Sequence, residues 1–327
     1  MSEGATQPSS HGARDRVIHP RPPTPGDEGP KRQASNLSLR LLTAGLLIPP
    51  VLWMIYQGGV FVLGTVIVIA LLALNEFYQL IEQKGAEPLR GQGMAAAAAL
   101  PVVMYFGYES FATVLLTAVL LAMMVVQLTK NQIRDALASI SGTFFGVFYV
   151  GWLLSHVVVL REFTDVVAAR WPLVAQDMHP DVGGFYLVFT ISVVIMGDVG
   201  AYFTGRAYGR RKLAPRISPG KTVEGALGAV VAGVLLAVGL KAAFDFVAPD
   251  LSRHLSYAAV VPIAVALTIL GMVGDLIESL LKRDAAVKDT GTLLPGMGGV
   301  LDRIDSNLIA IPVMYYVMLA YTFLTAA

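Results

Sequence analysis

Ser218-Pro219-Gly220-Lys221-Thr222 runs directly into an apolar segment that opens with Val223-Glu224. A helix starting there would offer free backbone N–H groups to an anion. Lys221 adds a point charge, and Ser218 and Thr222 add hydroxyls. Gly-Lys-Thr invites comparison with the phosphate loop G-x-x-x-x-G-K-[ST], but that pattern needs a first glycine at the position of Pro215 and a strand where this chain has an apolar run. Any phosphate would therefore be met by a helix end and a cluster of cations. Arg206, Arg210, Arg211, Lys212 and Arg216 precede Lys221 in the same loop. Such a density suits a substrate with several phosphates, although it would equally serve topology or anionic lipid. An N-cap with a topogenic lysine is the plainer account of the motif alone.

Acidic residues supply the complementary chemistry. Asp198, Glu224, Asp275 and Glu278 fall inside or at the ends of long apolar runs, where an ionisable group is costly and needs a reason. Asp275, Glu278, Ser279 and Lys282 are spaced to share one helical face. Asp302 and Asp305 lie one turn apart if a helix begins near them, with Arg303 between. Hard carboxylate oxygens suit Mg²⁺, which commonly binds one or two carboxylates together with substrate phosphates. Aspartates facing a basic loop thus read as a metal–phosphate site, against the alternative of simple interfacial salt bridges (Asp302 with Arg303, Asp275 with Lys282). Gly296, Gly298 and Gly299 permit close backbone approach or positive φ. Glu76, Asp245 and Asp250 read as solvated acids near interfaces, and His156 as a hydrogen-bonded residue inside the membrane.

The elements that must position these residues are membrane helices. Of 327 residues, 55% are hydrophobic and 14% charged, an apolar excess over soluble domains. There is no cysteine, which excludes thiolate metal sites, disulfides and cysteine nucleophiles. Residues 1–36 are rich in Pro, Ser, Gly and charge and read as a disordered cytoplasmic tail. Beyond it stand about nine apolar runs on the scale of the roughly 20 residues that cross a bilayer. They lie near 37–56, 59–78, 94–108, 111–128, 138–160, 184–203, 223–246, 257–281 and 308–324. The fold class expected is all-α and polytopic, with N-terminal transmembrane helices over 37–160 and a catalytic region over 161–327.

Lysine and arginine in short loops set orientation. With the tail inside, the loops holding Lys84 and Arg90, Lys130 and Arg134, Arg206 to Lys221, and Lys282 to Arg303 all fall inside. Nine crossings then leave the C-terminus outside. Small residues at four-residue spacing (Gly142 and Gly146; Gly225, Ala229 and Gly233) allow helix backbones to approach closely in lipid.

The stretch SLLKRDAAVKDTGTLLPGMGGVLDRIDS, Ser279 to Ser306, resembles the C-terminal signature of the phosphatidate cytidylyltransferases, or CDP-diacylglycerol synthases. Ser279, Lys282, Arg283, Lys288, Asp289, Pro295, Gly298, Gly299, Asp302, Arg303 and Asp305 occupy matching positions. GDVGAYFTGRAYG and SPGKTVEG resemble the segments that precede it in the family. One departure is Met297, where the family usually has histidine. A phosphate monoester is already an anionic nucleophile near neutral pH, so the loss of that histidine is expected to be tolerated.

The resemblance implies transfer of the cytidylyl group of CTP to phosphatidate, giving CDP-diacylglycerol and pyrophosphate with Mg²⁺ and room for a second cation. It implies that Asp275 and Asp302 hold metal, with Asp305 a candidate further ligand; Asp198 and Glu224, acids in or beside apolar runs, are additional candidates. Lys221, Lys282, Arg283, Lys288, Asp289 and Arg303 are then the catalytic set. Ser218, Pro219, Gly220, Thr222, Ser279, Gly298 and Gly299 are expected to contact substrate. Membrane lipid and a second copy of the chain are the implied partners, with no nucleic acid. A CTP-dependent lipid kinase and an ion-coupled transporter are the competing readings, although the halves of the chain show no internal symmetry of the transporter kind. A CDP-alcohol phosphotransferase is disfavoured because the chain has no Asp-Gly dipeptide.

Overall fold

The computed structural model describes residues 45–46, 48–107, 109–130 and 135–326. The tail assigned to 1–36 and the start of the first apolar run lie outside the described residues. Helices dominate: α1 (48–57), α2 (Gly59–Gln83), α3 (Arg90–Tyr105), α4 (Glu109–Leu128), α5 (Ala136–Arg161), α6 (Val182–Tyr208), α7 (Val223–Val247), α8 (Tyr257–Asp284) and α9 (Leu301–Ala326).

Among the described residues, seven helices are long and apolar enough to cross a membrane: α2 and α4 to α9. The protein is thus a polytopic, mainly helical membrane protein. The third expected run is not among them because α3 has 16 residues, about 24 Å at 1.5 Å per residue, although α3 leaves the end that carries Arg90 and α4 returns to it at Lys130. Its alanines serve packing: a Cβ on Gly151 of α5 would come within 3.1 Å of the Ala97 Cα. The all-α expectation also missed a small hairpin between α6 and α7. Strands β1 (Lys212–Ala214) and β2 (Ser218–Thr222) pair antiparallel, Lys212 opposite Thr222 and Ala214 opposite Ser218.

The small-residue spacing has a direct structural use. Gly225, Ala229, Gly233 and Ala237 form a buried stripe along α7. A Cβ on Gly225 would sit 2.9 Å from the Ala201 carbonyl oxygen, and one on Gly200 2.7 Å from that of Gly228. Helices α6 and α7 are therefore in near-backbone contact, which is how dispersion forces gain in lipid where no hydrophobic drive operates between helices. Gly142 and Gly146 likewise seat Ile81, Leu74, Phe77 and Tyr78 of α2 against α5.

Polar ties close each end of the bundle. At one end, Arg161 is buried, donates to the Ile55 carbonyl at 2.7 Å and pairs with Asp181 at 2.9 Å. Asp245, expected to be solvated, accepts from Lys241, Ser252 and Tyr257 at the same end. At the other end Lys84 pairs with Asp284 at 2.9 Å, Arg90 with Glu82 at 2.7 Å and Lys130 with Glu87 at 3.9 Å. Within the bundle His156 is fully buried, its Nε2 sharing a hydrogen bond with the Tyr316 hydroxyl at 3.0 Å.

Candidate active site

The C-terminal turns of α6 and α8, the N-terminal turns of α7 and α9, and the β1–β2 hairpin meet at the end of the bundle that carries Lys84 and Arg90. The hairpin is fixed by side chains that flank it. Glu224 accepts from the backbone N–H of Arg210 at 3.0 Å and of Arg211 at 3.1 Å. Thr222 Oγ1 accepts from Gly225 N at 3.1 Å, capping α7. The cap expected from the motif is thus present at Thr222, while the neighbouring Lys221 is turned away from it. Lys221 Nζ pairs with Asp275 at 2.8 Å. Glu224, a candidate metal ligand in the sequence, is engaged in holding the hairpin.

On α8, the face that carries Asp275, Glu278, Ser279 and Lys282 looks onto α9. Carboxylate oxygens of Asp275, Glu278 and Asp305 lie within 4.8 Å of one another. Ser279 Oγ donates to Asp275 at 3.4 Å. Asp302 is placed differently from the expected metal ligand: it accepts from Lys282 Nζ at 2.8 Å, Gly299 N at 2.8 Å and Thr290 N at 3.1 Å. Lys282 also pairs with Glu278 at 2.5 Å, and the two carboxyl side chains are only 1% and 4% exposed. Glu278, noted on the shared face but left out of the expected site, is the acid whose oxygens cluster with those of Asp275 and Asp305, while Asp302 lines the same cavity. The salt-bridge alternative had its partners crossed: Asp275 pairs with Lys221, and Lys282 with Glu278 and Asp302.

Glu76 of α2 corrects the sequence reading most clearly. Expected to be solvated, it is 5% exposed. It accepts from Val300 N at 2.9 Å, Leu301 N at 2.8 Å and Thr290 Oγ1 at 3.3 Å. A carboxylate from a distant helix thus caps α9 and fixes the loop before it. Gly299 is glycine for this reason, since a Cβ there would collide with the Glu76 carboxylate and the Thr290 hydroxyl. Gly298 adopts φ +88, a conformation L side chains rarely take. The signal that would have found Glu76 was available: an acid inside an apolar run, as for Asp198.

A cavity of about 740 Å³ opens over this centre. It brings together Asp198, Ser218, Gly220, Lys221, Thr222, Asp275, Lys282, Asp289, Asp302, Arg303 and Asp305 from the expected set, and adds Arg206 and Glu278. Pro219, Arg283 and Lys288 are exposed and are not among its lining residues. Arg283 ties α8 to the hairpin through the Ile217 carbonyl at 3.4 Å. Met297 lies in the turn closed by Leu294 and Gly298, its N donating to the Leu294 carbonyl at 2.9 Å, and does not line the cavity.

A cavity at one end of a bundle of membrane-length helices, combining clustered carboxylates with lysines and arginines, is an arrangement suited to phosphate-bearing ligands. Comparison with known proteins is more specific. The sequence profile of the Cytidylyltransferase family matches residues 38–321, and the chain belongs to that family. It is similar to the phosphatidate cytidylyltransferase of Synechocystis sp., 30% identical over 85% of this chain and 94% of the relative. The Brucella suis phosphatidate cytidylyltransferase is 33% identical over 86% of this chain and 93% of its own length. That of Bacillus subtilis is 35% identical over 63% of this chain and 68% of its own. The chain is accordingly an enzyme of the nucleotidyltransferase class.

Proposed function

We propose that the chain transfers the cytidylyl group of CTP to phosphatidate, forming CDP-diacylglycerol and releasing pyrophosphate, with a divalent cation, at the cytoplasmic membrane face. The observation that carries this reading is the charge of the cavity. Its lining holds six acids (Asp198, Asp275, Glu278, Asp289, Asp302, Asp305) and four bases (Arg206, Lys221, Lys282, Arg303). With these groups ionised, such a site repels a triphosphate unless a cation is also bound. The hard oxygen donors of Asp275, Glu278 and Asp305 fit Mg²⁺, and there is room in the cavity for a second cation. When bound, the metal would offset charge on the transferring and departing phosphates.

The protein's own groups account for the rest. Lys221 near the end of β2, beside the start of α7, and Arg303 at the start of α9 both line the cavity, placed to contact the phosphates of CTP and of the lipid. Lys282 is locked between Glu278 and Asp302 and holds the two helices in register. A phosphate oxygen of the lipid bonds to the α-phosphorus while the bond to the bridging oxygen of the β-phosphate breaks, and the electron pair leaves with pyrophosphate. The monoester is anionic without help, so a histidine at position 297 is dispensable. Homodimerisation rests on the family resemblance.

Purified protein in mixed micelles with phosphatidate, Mg²⁺ and CTP labelled on both the α-phosphate and cytosine is expected to pass both labels together into lipid and to release pyrophosphate. Release of CDP would indicate a lipid kinase, and unlabelled lipid across a range of metals would reject transfer altogether. The membrane face is tested separately in a chain that has no native cysteine. Ala214→Cys and Leu293→Cys, in the hairpin and the signature loop, should react with an impermeant maleimide only in inside-out vesicles. Reaction in right-side-out vesicles would reverse the orientation.

A further inference from the structure

Tyr149 lies in α5 where Val147–Trp152 takes the wider π-helical form. Such a local expansion shifts side chains out of α-helical register and recurs at functional sites. The residue is 4% exposed. It packs in the apolar cluster that contains Ile277 and Leu281, which flank Glu278, and Leu301 and Ile304, which flank Asp302. Phe145 stacks on its ring at 5.5 Å between centroids, and Phe77 covers another side at 6.1 Å. Tyr149 is therefore held firmly among the helices that carry the acidic centre.

Its hydroxyl has no hydrogen-bond partner in the protein. The charged groups acting on it are Asp305, Glu278 and Asp275, the same three carboxylates that cluster within 4.8 Å. A buried hydroxyl without an acceptor carries its full desolvation penalty, so one retained beside a charged centre needs a use. Phenylalanine would fill the same space without that penalty. Because the hydroxyl donates to no protein group, it is available to an oxygen brought by what the centre binds.

We propose that Tyr149 is a positioning residue of the acidic centre, its hydroxyl donating a hydrogen bond to a water or substrate oxygen in the shell of a divalent cation held by Asp275, Glu278 and Asp305. The proposal rests on the metal-centre reading above. Outer-sphere hydrogen bonds of this kind fix ligand orientation and change metal affinity by roughly 10- to 100-fold.

The test measures Mn²⁺ binding to the purified full-length chain by the electron paramagnetic resonance of free Mn²⁺. Tyr149→Phe, which keeps the ring and its packing, should bind about tenfold more weakly than wild type. Tyr186→Phe is the control. Its hydroxyl is also buried and unpartnered, but the group acting on it is Tyr321 rather than any member of the centre. It should bind Mn²⁺ as wild type does. Equal affinity in Tyr149→Phe and wild type overturns the role of Tyr149 while leaving the metal centre standing. Absence of saturable Mn²⁺ binding in the wild type, or binding undiminished in Asp305→Asn, overturns both.

Discussion

Replacing Lys282 by methionine is expected to lower the unfolding free energy by about 3–5 kcal/mol, the cost of breaking a buried ion pair from one side. Transfer activity should be lost with it. The reason is stoichiometric: Lys282 is the cation between Glu278 and Asp302, whose side chains are 1% and 4% exposed. Without it two carboxylates remain buried at the junction of α8 and α9. Asp302 keeps its bonds from Gly299 N and Thr290 N, whereas Glu278 loses its cation. Lys282→Arg keeps the charge but presents a planar fork where a point charge now meets two acids, so it should recover most of the stability and little of the turnover. Thermal unfolding in detergent, scored beside CTP turnover well below the melting temperature, separates the two effects. A methionine variant that melts with the wild type would show that the pair contributes nothing net to the fold.

The second large effect is expected at Glu76, far from the signature in sequence. Glu76→Ala removes the acceptor for Val300 N, Leu301 N and Thr290 Oγ1 together. An orphaned buried donor costs about 1–3 kcal/mol, so a loss of about 3 kcal/mol or more is expected. Activity should fall further than stability, because the freed loop carries Gly299, one of the groups that orient Asp302. Glu76→Gln keeps the shape and one acceptor oxygen, and its amide must face at least one of the same donors. It should therefore sit between wild type and Ala in both melting temperature and turnover. If Glu76→Ala and wild type share a melting temperature and a turnover number, the loop is held by something other than this carboxylate.

Much of the architecture was legible because membrane helices announce themselves locally. Runs near 59–78, 111–128, 138–160, 184–203, 223–246 and 257–281 correspond to α2 and α4 to α8, within a few residues except at the polar ends. Those ends were underestimated for a physical reason. The last run was read from 308, whereas α9 begins at Leu301, because its first two turns carry Asp302, Arg303 and Asp305 and are paid for by tertiary partners rather than by hydropathy. The hairpin escaped detection because its strands are three and five residues long and include Pro219. Their pairing depends on Glu224 holding the backbone of Arg210 and Arg211.

The sequence by itself determined the membrane setting, the cation-rich loop, the small-residue stripe of α7 and the membership of Asp275, Asp302 and Asp305 in one neighbourhood. The first three follow from composition and spacing along single helices, which are local properties; joining Asp275 to Asp302 and Asp305 across two helices rested on the basic loop beside them and on the family resemblance. Only the tertiary structure decided which acid faces which cation. Lys221 meets Asp275 across the hairpin, Lys282 bridges two helices, and Glu278 rather than Asp302 completes the trio of carboxylates. It also decided that Glu76, more than 200 residues away, belongs to the signature loop. Pairings of this kind depend on how helix faces rotate and pack against one another, and no periodicity within a single helix encodes that rotation.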